Sequence, residues 1–95
     1  MSVGLLHLSF RLPACHSLKE KRSQIKPVIA RLHREFNVSV AEVAEQDVWQ
    51  SCSLLVACAS GSGRQAEIVL TRLLHYFETH WPDLMLTDDQ LEILN

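Results

Sequence analysis

Phe36-Asn37-Val38-Ser39-Val40-Ala41-Glu42-Val43 and Trp49-Gln50-Ser51-Cys52-Ser53-Leu54-Leu55-Val56-Ala57-Cys58-Ala59, separated by residues 44–48, decide the fold. Both stretches alternate. In the second, Cys52, Leu54, Val56 and Cys58 fall on one side and Ser53, Leu55, Ala57 and Ala59 on the other. A period of two residues is the signature of a strand with one face buried. The polar link between the two is too short for a crossover connection, so the two strands form an antiparallel hairpin.

Outward from this hairpin the chain reads symmetrically. Before it, Leu18, Ile25, Val28, Ile29, Leu32 and Phe36 recur at helical spacing in one apolar stripe. Ser17 and Glu20 offer a capping box at the start of that helix. Pro27 lies inside it and removes one backbone donor, which predicts a kink or a tightened turn. After the hairpin, Ser60-Gly61-Ser62-Gly63 is a turn. It is followed by a second helical stripe of Ala66, Val69, Leu70, Leu73, Leu74, Phe77 and Trp81, stopped by Pro82. Val3 to Leu12 alternates, with Leu6, Leu8, Phe10 and Leu12 on its buried side, and residues 85–94 form a last strand with an interruption expected at Asp88-Asp89. The order β-α-β-β-α-β, closed by right-handed crossovers, predicts the ferredoxin-like α+β arrangement. This is a four-stranded antiparallel sheet with both helices on one face, here as a single domain over residues 1–95.

The 95 residues carry a net charge of −2, with 47% hydrophobic and 21% charged residues, ordinary for a soluble globular chain. No apolar run approaches a membrane span. Residues 1–10 lack the basic and apolar regions of a secretory signal, so the N-terminus is read as that of the mature protein. Three cysteines, odd in number and without a C-x-x-C pair, fit a reducing compartment. The charge is unevenly spread. Residues 1–34 hold seven bases and one acid, whereas residues 35–95 hold two bases and ten acids.

Ser17-Leu18-Lys19-Glu20-Lys21-Arg22 places three cations in the first turns of the first helix, where the helix dipole disfavours positive charge by roughly 0.3–1 kcal/mol each. An anion at that helix end would relieve the conflict. On the helical wheel Lys19, Arg22, Lys26 and His33 project within about 60° of one another, beside the buried stripe, and Lys21 falls at its edge. These five residues are the candidate anion- or RNA-binding set.

The block Ser17–Arg22, together with Val3-Gly4, Leu12-Pro13, residues 36–42 and Asp47-x-Trp49-Gln50, resembles the YlxP-like family of small bacterial proteins of unknown function. The resemblance covers nearly the whole chain, and from Gly61 onward it is one of pattern only. It implies a ferredoxin-like fold, a cytoplasmic bacterial protein and no established activity. In some bacteria the family's gene lies among genes for translation initiation and ribosome maturation, which implies a translation- or RNA-related role by association.

Other chemistries are not supported by the residues. The outward positions of the first and third strands carry no RNA-recognition-motif aromatics. Cys15-His16 supplies too few ligands for a metal site, which needs three or four. Ser60-Gly61-Ser62-Gly63 lacks the phosphate-loop pattern. No nucleophile–base–orienter set is readable, so no catalytic role, metal or cofactor is expected. There is no DNA-specific motif, and no membrane partner is expected. The leading expectation is a non-catalytic accessory factor that binds RNA or a ribosomal surface through the first helix. The alternative is a homo-oligomeric adaptor that uses the open sheet face or an edge strand, with Leu5, His7, Ser53, Leu55 and Trp49 as its interface.

Overall fold

The computed structural model describes residues 1–44 and 46–95. The elements follow the expected order: β1 Ser2–Arg11, α1 Leu18–Glu35, β2 Ser39–Ala44, β3 Ser51–Ser60, α2 Gly63–His80 and β4 Met85–Leu94. They build an antiparallel sheet in the order β2-β3-β1-β4, the ferredoxin-like topology.

Alternation decides which side of the sheet is covered. Leu6, Leu8 and Phe10 of β1 and Cys52, Leu54, Val56 and Cys58 of β3 point to one side and are buried. They form one core with Ile25, Val28 and Leu32 of α1 and Leu70, Leu73 and Phe77 of α2, so both helices lie on that face. The Phe10 and Phe77 rings meet at the centre, with centroids 5.0 Å apart and planes tilted by 52°. α2 lies close against β1: a Cβ on Gly4 would come within 2.7 Å of Leu70 Cδ1 and 3.1 Å of Ala66 Cβ. Glycine at this position lets the helix approach the strand backbone.

Several boundaries differ from the sequence reading, each for a local reason. The second strand begins at Ser39, not Phe36. Phe36 is the C-cap of α1, its N–H donating to the Leu32 carbonyl at 3.0 Å, and the Val38 N–H then donates to the Phe36 carbonyl at 2.9 Å. The backbone at 36–38 is therefore spent on turning out of the helix. α1 continues through Pro27 as one element, because buried residues flank the proline on both sides (Lys21 and Ile25 before it, Val28 and Leu32 after). β4 is continuous through Asp88-Asp89. Its irregularity falls one residue earlier, where Ser9 faces Asp88 but Phe10 faces Leu86. Thr87 is the extra residue of this bulge, and its hydroxyl donates to the Ser9 carbonyl at 3.0 Å.

Candidate functional site

The entry to α1 is capped as the sequence suggests, with one change. Ser17 is extended, and its Oγ accepts from the Glu20 N–H at 3.1 Å. The returning arm goes to the preceding residue instead: Glu20 Oε2 accepts from the His16 N–H at 2.8 Å. The negative charge favoured at this helix end is thus supplied in part by the chain's own Glu20. The N-terminus of α1 is less in need of an external anion than the cation count implies.

Lys21 leaves the candidate set. It is only 2% exposed and shares the buried stripe with Ile25, Val28 and Leu32. Its Nζ donates to the Val48 carbonyl at 2.8 Å and pairs with Glu42 Oε2, also at 2.8 Å. Glu42 faces Leu54 across the β2–β3 ladder, which aims it to the helix side of the edge strand. The ammonium is neutralised inside the fold and fastens the loop after β2 to α1. The sequence signal was Lys21's position within the stripe, but its partner lies 21 residues further on, on another element.

Lys19, Arg22, Lys26 and His33 are all exposed. Among the described residues none of their side chains forms an ion pair or hydrogen bond. Their spacings of three, four and seven residues keep them on one flank, about 21 Å long at 1.5 Å per residue. The opposite flank of α1 faces α2, where Arg31 Nε donates to Tyr76 Oη at 2.6 Å. At the far end His33 borders an open hollow of about 420 Å³ with Asn37, Val38 and Ser39, so the cationic flank runs along the β2 side of the molecule.

The second candidate set does not form one patch. Leu5, His7 and Leu55 lie half-buried on the sheet face that carries no helix, with His7 opposite Leu55 and Leu5 opposite Ala57. Ser53 is only 5% exposed, flanked in the ladder by Ser9 and Ala44, and its hydroxyl lies 3.3 Å from that of Ser9. Trp49 precedes β3 in the loop at the end of the sheet and is 50% exposed. That loop is held at several points: the Leu12 N–H donates to the Gln50 carbonyl at 2.9 Å, and Gln50 Nε2 to the Cys15 carbonyl at 3.2 Å. Beside it lies a hollow of about 410 Å³ lined by Asp47, Val48, Trp49 and Gln50.

Sequence reasoning did not foresee the cluster at the end of α2. Tyr76 and His80 stack at 3.8 Å, and Trp81 packs edge-on to Tyr76 at 6.0 Å. The i, i+4 spacing of Tyr76 and His80 was the available signal. Among the described residues no group of histidines, cysteines and carboxylates is arranged to hold a metal ion, and no helix is long and apolar enough to cross a membrane. Cys15, Cys52 and Cys58 are all buried thiols outside any disulfide.

Two comparisons agree with the motif blocks. Residues 3–90 match the family model described as "Protein of unknown function (DUF503)". The chain is also 38% identical over 76 residues to the "Uncharacterized protein YlxP" of Bacillus subtilis (strain 168), covering 80% of this chain and 82% of that protein. The chain therefore belongs to the DUF503 family of YlxP-like proteins, a family of unknown function.

Proposed function

We propose that this protein is a non-catalytic accessory factor that binds RNA, free or on a ribosomal surface, through the α1 flank of Lys19, Arg22, Lys26 and His33. The observation that carries this reading is a flank about 21 Å long whose cations have no acidic partner among the described residues. Charges left uncompensated on one side of a mildly acidic chain attract a polyanion without making the whole surface sticky. Lys21 serves the site indirectly, by tying the Val48 carbonyl to the same helix.

The test is binding of a labelled RNA measured by fluorescence anisotropy at several salt concentrations. Lys19→Ala with Arg22→Ala is expected to weaken binding for all sequences alike and to reduce the salt slope by about 1 for each phosphate that is no longer neutralised. Binding that ignores both salt and the double substitution counts against the proposal.

A second reading has its own support. The sheet face without helices presents Val3, 38% exposed, beside half-buried Leu5, Leu55 and Ala57. Contiguous apolar surface of this kind suits a second copy of the chain. Light scattering on concentrated protein is expected to show a dimer that Leu55→Asp converts to monomer and α1 substitutions leave intact. A wild-type monomer at the highest concentration removes this reading.

A further inference from the structure

Charge on a helix flank attracts any polyanion, and the loop at residues 46–50 narrows the choice. Trp49 is half-exposed there, and among the described residues it stacks on no other aromatic ring. An indole on a floppy loop would say little, but this one is held. Val48 on one side of it accepts from Lys21 Nζ, and Gln50 on the other is bonded to Leu12 and Cys15. These anchors set the loop against the first turns of α1, where Glu20 and Arg22 are the exposed sequence neighbours of the buried Lys21 and the Glu20 carboxylate is turned back onto the His16 N–H.

We infer that the ligand of the α1 flank is a single-stranded nucleic acid, with its phosphates along Lys19, Arg22 and Lys26 and one base stacked on Trp49. This rests on the reading of that flank as an RNA site. An aromatic face beside a cationic track is the physical recipe for single strands, since every base has a π-face and a duplex hides all but its terminal ones. The open sheet cannot take this role, because the outward positions of β1 and β3 offer His7 as their one aromatic ring. The hollow beside Trp49 is shallow and open, lined by Asp47, Val48, Trp49 and Gln50 of the loop itself, so it offers a face and not an enclosed cavity. Asp47 in its lining is unsuited to a phosphate, but its carboxylate accepts hydrogen bonds from the amino and imino groups of a base edge. The two chemistries are thereby separated, with the backbone on the helix and the base at the loop.

Trp49 and Trp81 are the two tryptophans of the chain, so Trp81→Phe leaves Trp49 as the reporter. In that background a twelve-nucleotide oligo(A) RNA is expected to quench tryptophan fluorescence saturably. Trp49→Ala should weaken oligo(A) binding roughly 5- to 150-fold while leaving the salt slope unchanged, and Trp49→Phe should retain most of the affinity. Circular dichroism of each variant checks that it is folded. Blunt duplex RNA or inorganic polyphosphate binding as tightly as oligo(A), with Trp49→Ala silent, overturns the stacking inference and leaves the flank reading standing. Failure of all three anions to bind overturns both.

Discussion

Phe77→Ala is expected to destabilise the protein by about 3–5 kcal/mol, among the largest effects of a single truncation in this core. Phe77 is fully buried, and its ring sits 5.0 Å from Phe10 and 5.7 Å from Trp81. Truncation removes the transfer free energy of the ring and leaves a hole where α2 meets β1. Leu73 and Leu70 on the same helix are also buried, so little can move in to fill it. A chain of this length has a total stability on the order of 5–15 kcal/mol. The variant should therefore lose much of its denaturant midpoint, with a fall in Tm of roughly 4–8 °C per kcal/mol. A urea titration showing a loss below about 1 kcal/mol would contradict the packing described for this core.

The second large effect concerns Lys21. Lys21→Met is expected to cost about 3 kcal/mol, because it takes the cation from the Glu42 carboxylate, leaving it the weak Cys52 thiol donor at 3.9 Å, and withdraws a donor from the Val48 carbonyl. The lower end of the usual range applies, since the Glu42 side chain is 23% exposed and regains some water. Pairing Lys21→Met with Glu42→Leu should recover the part of the loss that comes from the Glu42 carboxylate, while the Val48 carbonyl stays without its Lys21 donor. The two variants also separate in dynamics. With Lys21 gone the loop at 46–50 loses one of its anchors, so the Leu12 amide, bonded to the Gln50 carbonyl, should exchange faster with solvent. Additive costs in the double variant would mean that the two groups do not act as a pair.

Much of the fold was legible because it depends on short-range pattern. The alternation of Leu6, Leu8, Phe10 and Leu12 identified side chains that are all at most 1% exposed. The Ser17 cap follows from the sequence three residues on either side of it. What escaped the sequence depends on where distant segments meet. Lys21 was legible as a residue at the edge of the buried stripe, but its charge was still counted with the anion-binding set, since nothing near it announces that β2 will deliver Glu42 to its Nζ. Ser53 looked like an open-face residue by parity, yet pairing with Ser9 and Ala44 covers it. The β2 boundary was misplaced for a related reason. Phe36 and Val38 fit a strand by alternation, but the helix claims the Phe36 N–H first. For the candidate site, the surviving flank is the part that helical spacing alone determines.

The bulge at Thr87 bears on how this protein behaves when crowded. β4 is an edge strand of ten residues, and a straight edge of that length is a template on which another chain can grow a sheet. The extra residue breaks the even spacing of donors and acceptors partway along, and Asp88, Asp89 and Glu92 follow it within the same strand. A second β4 approaching this edge meets a ladder out of step and a row of like charges. The irregularity thus hinders edge-to-edge pairing at high concentration, and the other edge is blunted in two ways of its own, since β2 is only six residues long and shifts register between Glu42 and Ala44.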